Sequence, residues 1–246
     1  MSVPQSNADC RWDDFDPVLY LQQNYLEVRD DDLRIVQAVR DFFADAFDVD
    51  RPVDAGIDVG TGPNLYPALC MLPFCRRITL WERSGANVRR LQQETQRFSP
   101  MWDGYWNVLR GHGAYRRVPD PRQALRSAAR VHHGDLFRLP ERRWNAGTMF
   151  FVAESLSSQQ REFRLAVRRF FGALTPGAPF AVAFMAESTG YDVGAVHFPA
   201  VAVTEADVDE CLRPHSPDVA TVVIRSSVPL RDGYSGMVLG MGHNKS

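Results

Sequence analysis

The segment "GIDVGTGPNLY", Gly56 to Tyr66, constrains this chain more than any other stretch. A short apolar run that breaks into two near-adjacent glycines predicts a buried strand ending in a tight turn. Glycine at such a turn lets backbone N–H groups come close to a ligand. Placed between a first strand and a first helix, the turn lies at the C-terminal edge of a parallel α/β sheet, where ligands bind.

The flanking pattern agrees. Residues Asp31 to Phe47 carry Leu33, Val36, Val39, Phe43 and Phe47 at helical spacing. "VDAGIDV" reads as the first strand, and a helix follows the turn through Leu72. "RRITLWE" is a second strand, and "SGANVRRLQQETQRF" a helix capped by Ser84. Residues 99–130 break the pattern as an aromatic-rich insertion. "ARVHHGDLF", "AGTMFFVAE" and "PFAVAFM" are three more strands, with a helix from about Gln159 to Leu174 that stops before "TPGAP". "TEADVDECLR" is a short helix. "VATVVIRSSV" and "GMVLGMG" are strands with no helix between them, which predicts an antiparallel edge.

Composition narrows the function classes. The 246 residues, 45% hydrophobic and 24% charged, suit a single globular domain over 1–246. A net charge of −2 makes no electrostatic case for nucleic acid or membrane. The start, "MSVPQSNADCRWDDFD", is polar and acidic, unlike a secretory leader, so a cytoplasmic location is expected. Cys10, Cys70, Cys75 and Cys211 are scattered and form no metal-ligand spacing, so they are expected to be buried thiols and no metal is predicted. His132 and His133 interrupt a strand and are expected to be structural.

The turn's ligand can be argued from what is missing. A phosphate-binding G-x-x-x-x-G-K-[ST] loop needs a lysine, and none stands here. A dinucleotide fingerprint needs glycine at the position of Leu65. What remains is D-V-G-T-G-P, with Glu82 ending the next strand 22 residues after Gly60. A carboxylate there can accept both hydroxyls of an unphosphorylated ribose. Together with "GD" at Asp135, this favours S-adenosylmethionine over a turn that holds nothing.

At these residues the chain resembles the nicotinamide, phenylethanolamine and thioether methyltransferases. "FDPVLYLQQNY" is similar to the family's N-terminal segment, "DVGTGPNLY" to its glycine motif, and "ERSGAN" and "GDLF" to its second-strand and adenine-side motifs. The resemblance implies a Rossmann-like class I methyltransferase: a mostly parallel seven-stranded sheet with an antiparallel edge strand, helices on both faces and an N-terminal helical lid in residues 1–30. It implies donor-binding roles for Tyr20, Tyr25, Asp58, Gly60, Thr61, Gly62, Pro63, Tyr66, Glu82, Arg83, Asn87, Asp135 and Leu136. "VAESLSSQQREF" and "AFMAESTGY" align Glu154 and Glu187 with the acceptor-side acids, expected to be catalytic, and Tyr191 with a substrate-side tyrosine. Trp102 in the insertion is a candidate for the acceptor pocket. Met185 stands where nicotinamide methylators carry a carboxylate, which argues against nicotinamide.

Methyl transfer from a sulfonium is a direct displacement that needs alignment and exclusion of water. An amine acceptor arrives protonated, and a carboxylate can receive its proton. The expected activity is therefore N-methylation of a small amine in bacterial specialised metabolism, by a monomer or weak homodimer. Methylation of oxygen, carbon or sulfur stays open, as does an inactive donor-binding regulator.

Overall fold

The computed structural model describes residues 6–25, 28–225 and 234–245. Its strands are β1 (Val53–Val59), β2 (Cys75–Glu82), β3 (Ala129–His133), β4 (Ala146–Phe150), β5 (Pro179–Ala186), β6 (Gly190–Val193), β7 (Val196–Pro199), β8 (Ala220–Ile224) and β9 (Gly236–His243). Seven form one sheet in the order β3-β2-β1-β4-β5-β9-β8, and β6 and β7 pair as a separate antiparallel hairpin. The first five strands run parallel, while β9 runs antiparallel to both β5 and β8. The reversed strand thus sits one place in from the edge. The burial explains the order: β9 is buried over Gly236–Gly240, whereas β8 alternates between exposed and half-buried residues.

The helices are α1 (Pro17–Tyr25), α2 (Asp30–Ala46), α3 (Tyr66–Met71), α4 (Gly85–Arg97), α5 (Trp102–Leu109), α6 (Gly113–Arg116), α7 (Pro121–Ala128), α8 (Gln160–Ala173) and α9 (Glu205–Leu212). One face of the sheet is covered by α2, α3, α5 and α7, and the other by α8 and α9. Phe163, Ala166, Val167, Phe170 and Phe171 form the buried stripe of α8 at ideal helical spacing. Each large member of that stripe contributes about 1.5–3 kcal/mol by burial. Ser84 caps α4 by accepting the Asn87 N–H at 3.3 Å.

Residues 99–130 carry the three short helices α5, α6 and α7, and they complete the core. Trp102 and Tyr105 are fully buried. The Trp102 indole N–H donates to Glu94 Oε2 at 3.0 Å, and the Tyr115 hydroxyl to the Cys70 carbonyl at 2.6 Å. Of the strand expected over 219–228, residues 226–228 lie outside the described residues, as do 1–5 and 26–27 of the expected lid.

The described N-terminal segment folds over the C-terminal edge of the sheet. Trp12 stacks on Phe198 at 5.3 Å between ring centroids, and Phe15 packs on Phe198 at 5.4 Å. These contacts tie the segment to the β6–β7 hairpin through a small apolar cluster of its own.

Candidate functional site

The glycine turn takes its shape from positive φ angles, 65° at Gly60 and 60° at Gly62, which side-chain-bearing residues rarely adopt. The Gly60 N–H donates to the Trp81 carbonyl at 2.7 Å, binding the turn to β2. A Cβ on Gly60 would lie 2.6 Å from both methyls of Val152. Asn64 holds the far side: its Oδ1 accepts the Tyr66 N–H at 3.0 Å, and its Nδ2 donates to the Tyr25 hydroxyl at 3.1 Å.

Glu82 ends β2 directly beside this turn. Its Oε2 accepts the Gly62 N–H at 2.8 Å, and its Oε1 accepts the Ser84 N–H at 2.7 Å and Asn87 Nδ2 at 3.5 Å. Burial pushes this carboxyl up, and those N–H groups oppose the rise. Oε2 keeps a second lone pair for a ligand hydroxyl, while the weaker of the two bonds to Oε1, from Asn87 at 3.5 Å, leaves room for another. After β3, Asp135 caps a short 3-10 turn through the Phe137 N–H at 2.9 Å and pairs with Arg83 at 2.8 Å.

These residues line a cavity of about 820 Å³, its open mouth included. Gly60, Thr61, Gly62, Pro63, Glu82, Arg83, Asn87, Asp135 and Leu136 are on its wall, and Tyr20 and Tyr25 of α1 close over it. Sequence reasoning missed Asn7, Trp12 and Phe15 of the N-terminal segment, which also face it. Only the aromatic character of Trp12 and Phe15 could have signalled them.

A second cavity of about 480 Å³, mouth included, adjoins the first. The two share Tyr20, Tyr25, Phe151, Ser155 and Tyr191, so these residues stand between them. Asn24, Arg29, Asp32, Met185 and Met237 complete the second cavity. Burial, with the neighbouring Asp31 carboxylate, pushes the Asp32 carboxyl up to about 7, while the Tyr66 hydroxyl and Arg29 oppose the rise.

Five sequence candidates stand apart from both walls. Glu154 is fully buried, with Oε1 accepting the Met185 N–H at 3.0 Å, so its carboxylate pins the end of β5 and lines neither cavity. Glu187 is exposed at φ 59°, where the chain turns out of β5 towards solvent. Trp102 is held in the core by Glu94. Asp58 is buried beneath the turn, where its Oδ1 accepts the Thr148 hydroxyl at 2.7 Å. Tyr66 is buried against Tyr105, their rings stacked at 4.9 Å, and its hydroxyl donates to Asp32 Oδ1 at 3.1 Å.

A family model, the NNMT/PNMT/TEMT family, matches residues 5–233. The chain belongs to this family. It is an S-adenosylmethionine-dependent methyltransferase of the small-molecule type. Several solved structures share the fold at low identity. The N-methyltransferase NodS from Bradyrhizobium japonicum, in complex with S-adenosylhomocysteine, is 14% identical, with a TM-score of 0.54 over 94% of this chain and 99% of that one. An S-adenosylmethionine-dependent methyltransferase from Methanosarcina mazei is 12% identical, with a TM-score of 0.56 over 80% of this chain and 95% of that one. The Burkholderia thailandensis 1,6-didemethyltoxoflavin-N1-methyltransferase is 14% identical, with a TM-score of 0.50 over 87% and 78% of the two chains. No protein of curated function matches.

The first cavity fits the family's methyl donor. Asn87 Oδ1 and Trp81 Nε1 are buried on its wall with no hydrogen-bond partner among the described residues. Buried polar atoms of this kind are normally satisfied, and a polar nucleoside supplies what they lack. No helix among the described residues is long and apolar enough to cross a membrane. Among the same residues, no cluster of His, Cys, Asp or Glu is arranged to hold a metal ion.

Proposed function

We propose that the protein N-methylates a small amine-bearing molecule held in the second cavity. The observation that supports this most is the boundary the two cavities share, read here as a throat: Tyr20, Tyr25 and Tyr191 belong to both, which would set an acceptor in one against a donor in the other. The bound donor supplies a methyl group already activated on a sulfonium. The chain's own task is to align a lone pair with it and keep water out.

Glu82 and Asn87 would hold the ribose, and the 60–63 turn would let the nucleoside lie flat against backbone. The Arg83–Asp135 pair stiffens the adenine side at 2.8 Å. Aromatic faces attract cations, so three tyrosines at the throat favour positive charge at the point of transfer. In this reading the segment from Asn7 to Tyr25 is a lid, since it covers the first cavity and must open for the donor to enter. Two of the fold relatives named above are N-methyltransferases, which accords with nitrogen as the acceptor atom.

The test is donor turnover over a matched panel: benzylamine, tryptamine and cyclohexylamine against benzyl alcohol and benzyl mercaptan. S-adenosylhomocysteine should form with amines and not with the other two. Turnover confined to the alcohol or the thiol would overturn nitrogen as the acceptor atom.

A further inference from the structure

With Glu154 on neither cavity wall and Glu187 in solvent, the acceptor cavity needs another group to manage a protonated amine. Among the described residues that line it, Asp32 is the one carboxylate. We infer that Asp32, in the first turn of α2, is the acid/base group of the acceptor cavity: ionised, it binds the incoming ammonium and then takes one of its protons. The inference rests on the amine reading above.

Among the described residues, the neighbouring acids show why this carboxylate is the available one. Asp31 is also buried, but Arg29 claims it with contacts of 3.2 and 3.3 Å from Nε and Nη2. Asp58 lies under the glycine turn on Thr148. Asp32 is 4% exposed and still reaches the cavity, held by a hydrogen bond of 3.1 Å from the Tyr66 hydroxyl with the Tyr105 hydroxyl nearby. A buried carboxylate is costly without a partner, and a cation in the cavity would relieve that cost.

The step balances. An ammonium and the Asp32 carboxylate become a neutral amine and a carboxylic acid. The nitrogen lone pair then forms the N–CH3 bond as the S–CH3 bond breaks, with that electron pair going to sulfur. The nitrogen ends positive, and the Asp32 proton is released to solvent as product leaves. A carboxyl pushed up to about 7 suits this role, being partly ionised at neutral pH and basic enough to accept a proton. The groups that face Asp32 are Asp31 and Arg29 beside it at the start of α2, Tyr66 of α3, Tyr105 of α5 and Tyr25 of α1. Of these, Asp31 raises the carboxyl, while Arg29 and the Tyr66 and Tyr105 hydroxyls lower it.

The experiment measures kcat/KM from pH 5.5 to 9 with the best amine of the panel, alongside S-adenosylhomocysteine binding by calorimetry. Wild type should show an acid limb near 7. Asp32→Asn should lose about 100-fold or more in kcat/KM, the usual range for a general base. It should lose that limb as well, and its rate should follow the amine's own free base. Asp32→Glu should recover part of the loss. Tyr66→Phe removes the hydroxyl that favours the ionised form, so the acid limb should move to higher pH, which a merely structural tyrosine would not cause. Each variant should keep donor-product affinity within about threefold, which establishes that it folds. Glu187→Gln should match wild type throughout. An Asp32→Asn enzyme with wild-type kcat/KM and an unchanged acid limb overturns the inference while leaving N-methylation intact. Failure of wild type to turn over any amine, despite binding S-adenosylhomocysteine, overturns the amine reading itself.

Discussion

Gly60→Ala probes the junction between the glycine turn and the segment after β4. An L side chain at φ 65° costs about 1–2 kcal/mol for the left-handed conformation. The new Cβ would also lie 2.6 Å from both Cγ1 and Cγ2 of Val152 and 3.2 Å from its Cβ, so rotating Val152 gives no relief. Overpacking of this kind costs about 1–3 kcal/mol. The sum is about 2–5 kcal/mol. Gly62→Ala is the control: its φ is 60°, but the nearest atom to its Cβ is the Gly60 carbonyl oxygen at 3.9 Å. Only the backbone cost of about 1–2 kcal/mol should appear there. Urea unfolding of the two variants should therefore separate them by about 1–3 kcal/mol. Adding Val152→Ala to Gly60→Ala should give a coupling energy of similar size in a double-mutant cycle. The reasoning is refuted if Gly60→Ala is no less stable than Gly62→Ala, or if Val152→Ala shows no coupling to it.

Two further outcomes follow from buried carboxylates. Glu82→Ala should weaken S-adenosylhomocysteine binding by about 1.5–3 kcal/mol in calorimetry, the range for hydrogen bonds to a charged group, and unchanged affinity would mean the ribose lies elsewhere. Burial pushes Asp58 from 3.8 up to about 7, so between those values the folded state holds a proton that the unfolded state has released. Stability should then fall as pH rises from about 4 to 7, by at most about 4 kcal/mol from this group, and level off above. Asp32 adds a change of the same sign. Thermal unfolding of Asp58→Asn should show a flatter pH dependence than wild type, and an identical slope would contradict this account.

The parts of the fold that the sequence makes legible are those whose signal is local. β1 occupies Val53–Val59, the full extent of "VDAGIDV", because the apolar residues Val53, Ala55, Ile57 and Val59 recur at every second position up to the glycine turn. Ser84 is readable as a cap because its side chain acts only three residues along the chain. The helices in residues 99–130 are hidden by tryptophan, tyrosine and glycine, which are weak helix formers, and what stabilises them is packing on α2, α3 and α4. The β6–β7 hairpin is short and built around Gly190 and Gly194, so it shows no period-two pattern long enough to read. In the site, the turn and Glu82 follow from motif spacing. Glu154 shows the limit: spacing places it after β4 but does not say whether its carboxylate faces the cavity or the Met185 N–H. Asp32 is hidden in "DDDL", where acidic residues in a first helical turn are what the helix dipole alone would favour.

A crystal structure of the protein with S-adenosylhomocysteine tests the central claim most directly, because the proposed methyl transfer needs one throat between the two cavities. The account predicts ribose hydroxyls on Glu82, the adenine towards Asp135, and the sulfur at the throat formed by Tyr20, Tyr25 and Tyr191, facing the cavity that Asp32 lines. A ribose turned away from Glu82, or a sulfur with no path to that second cavity, would contradict it.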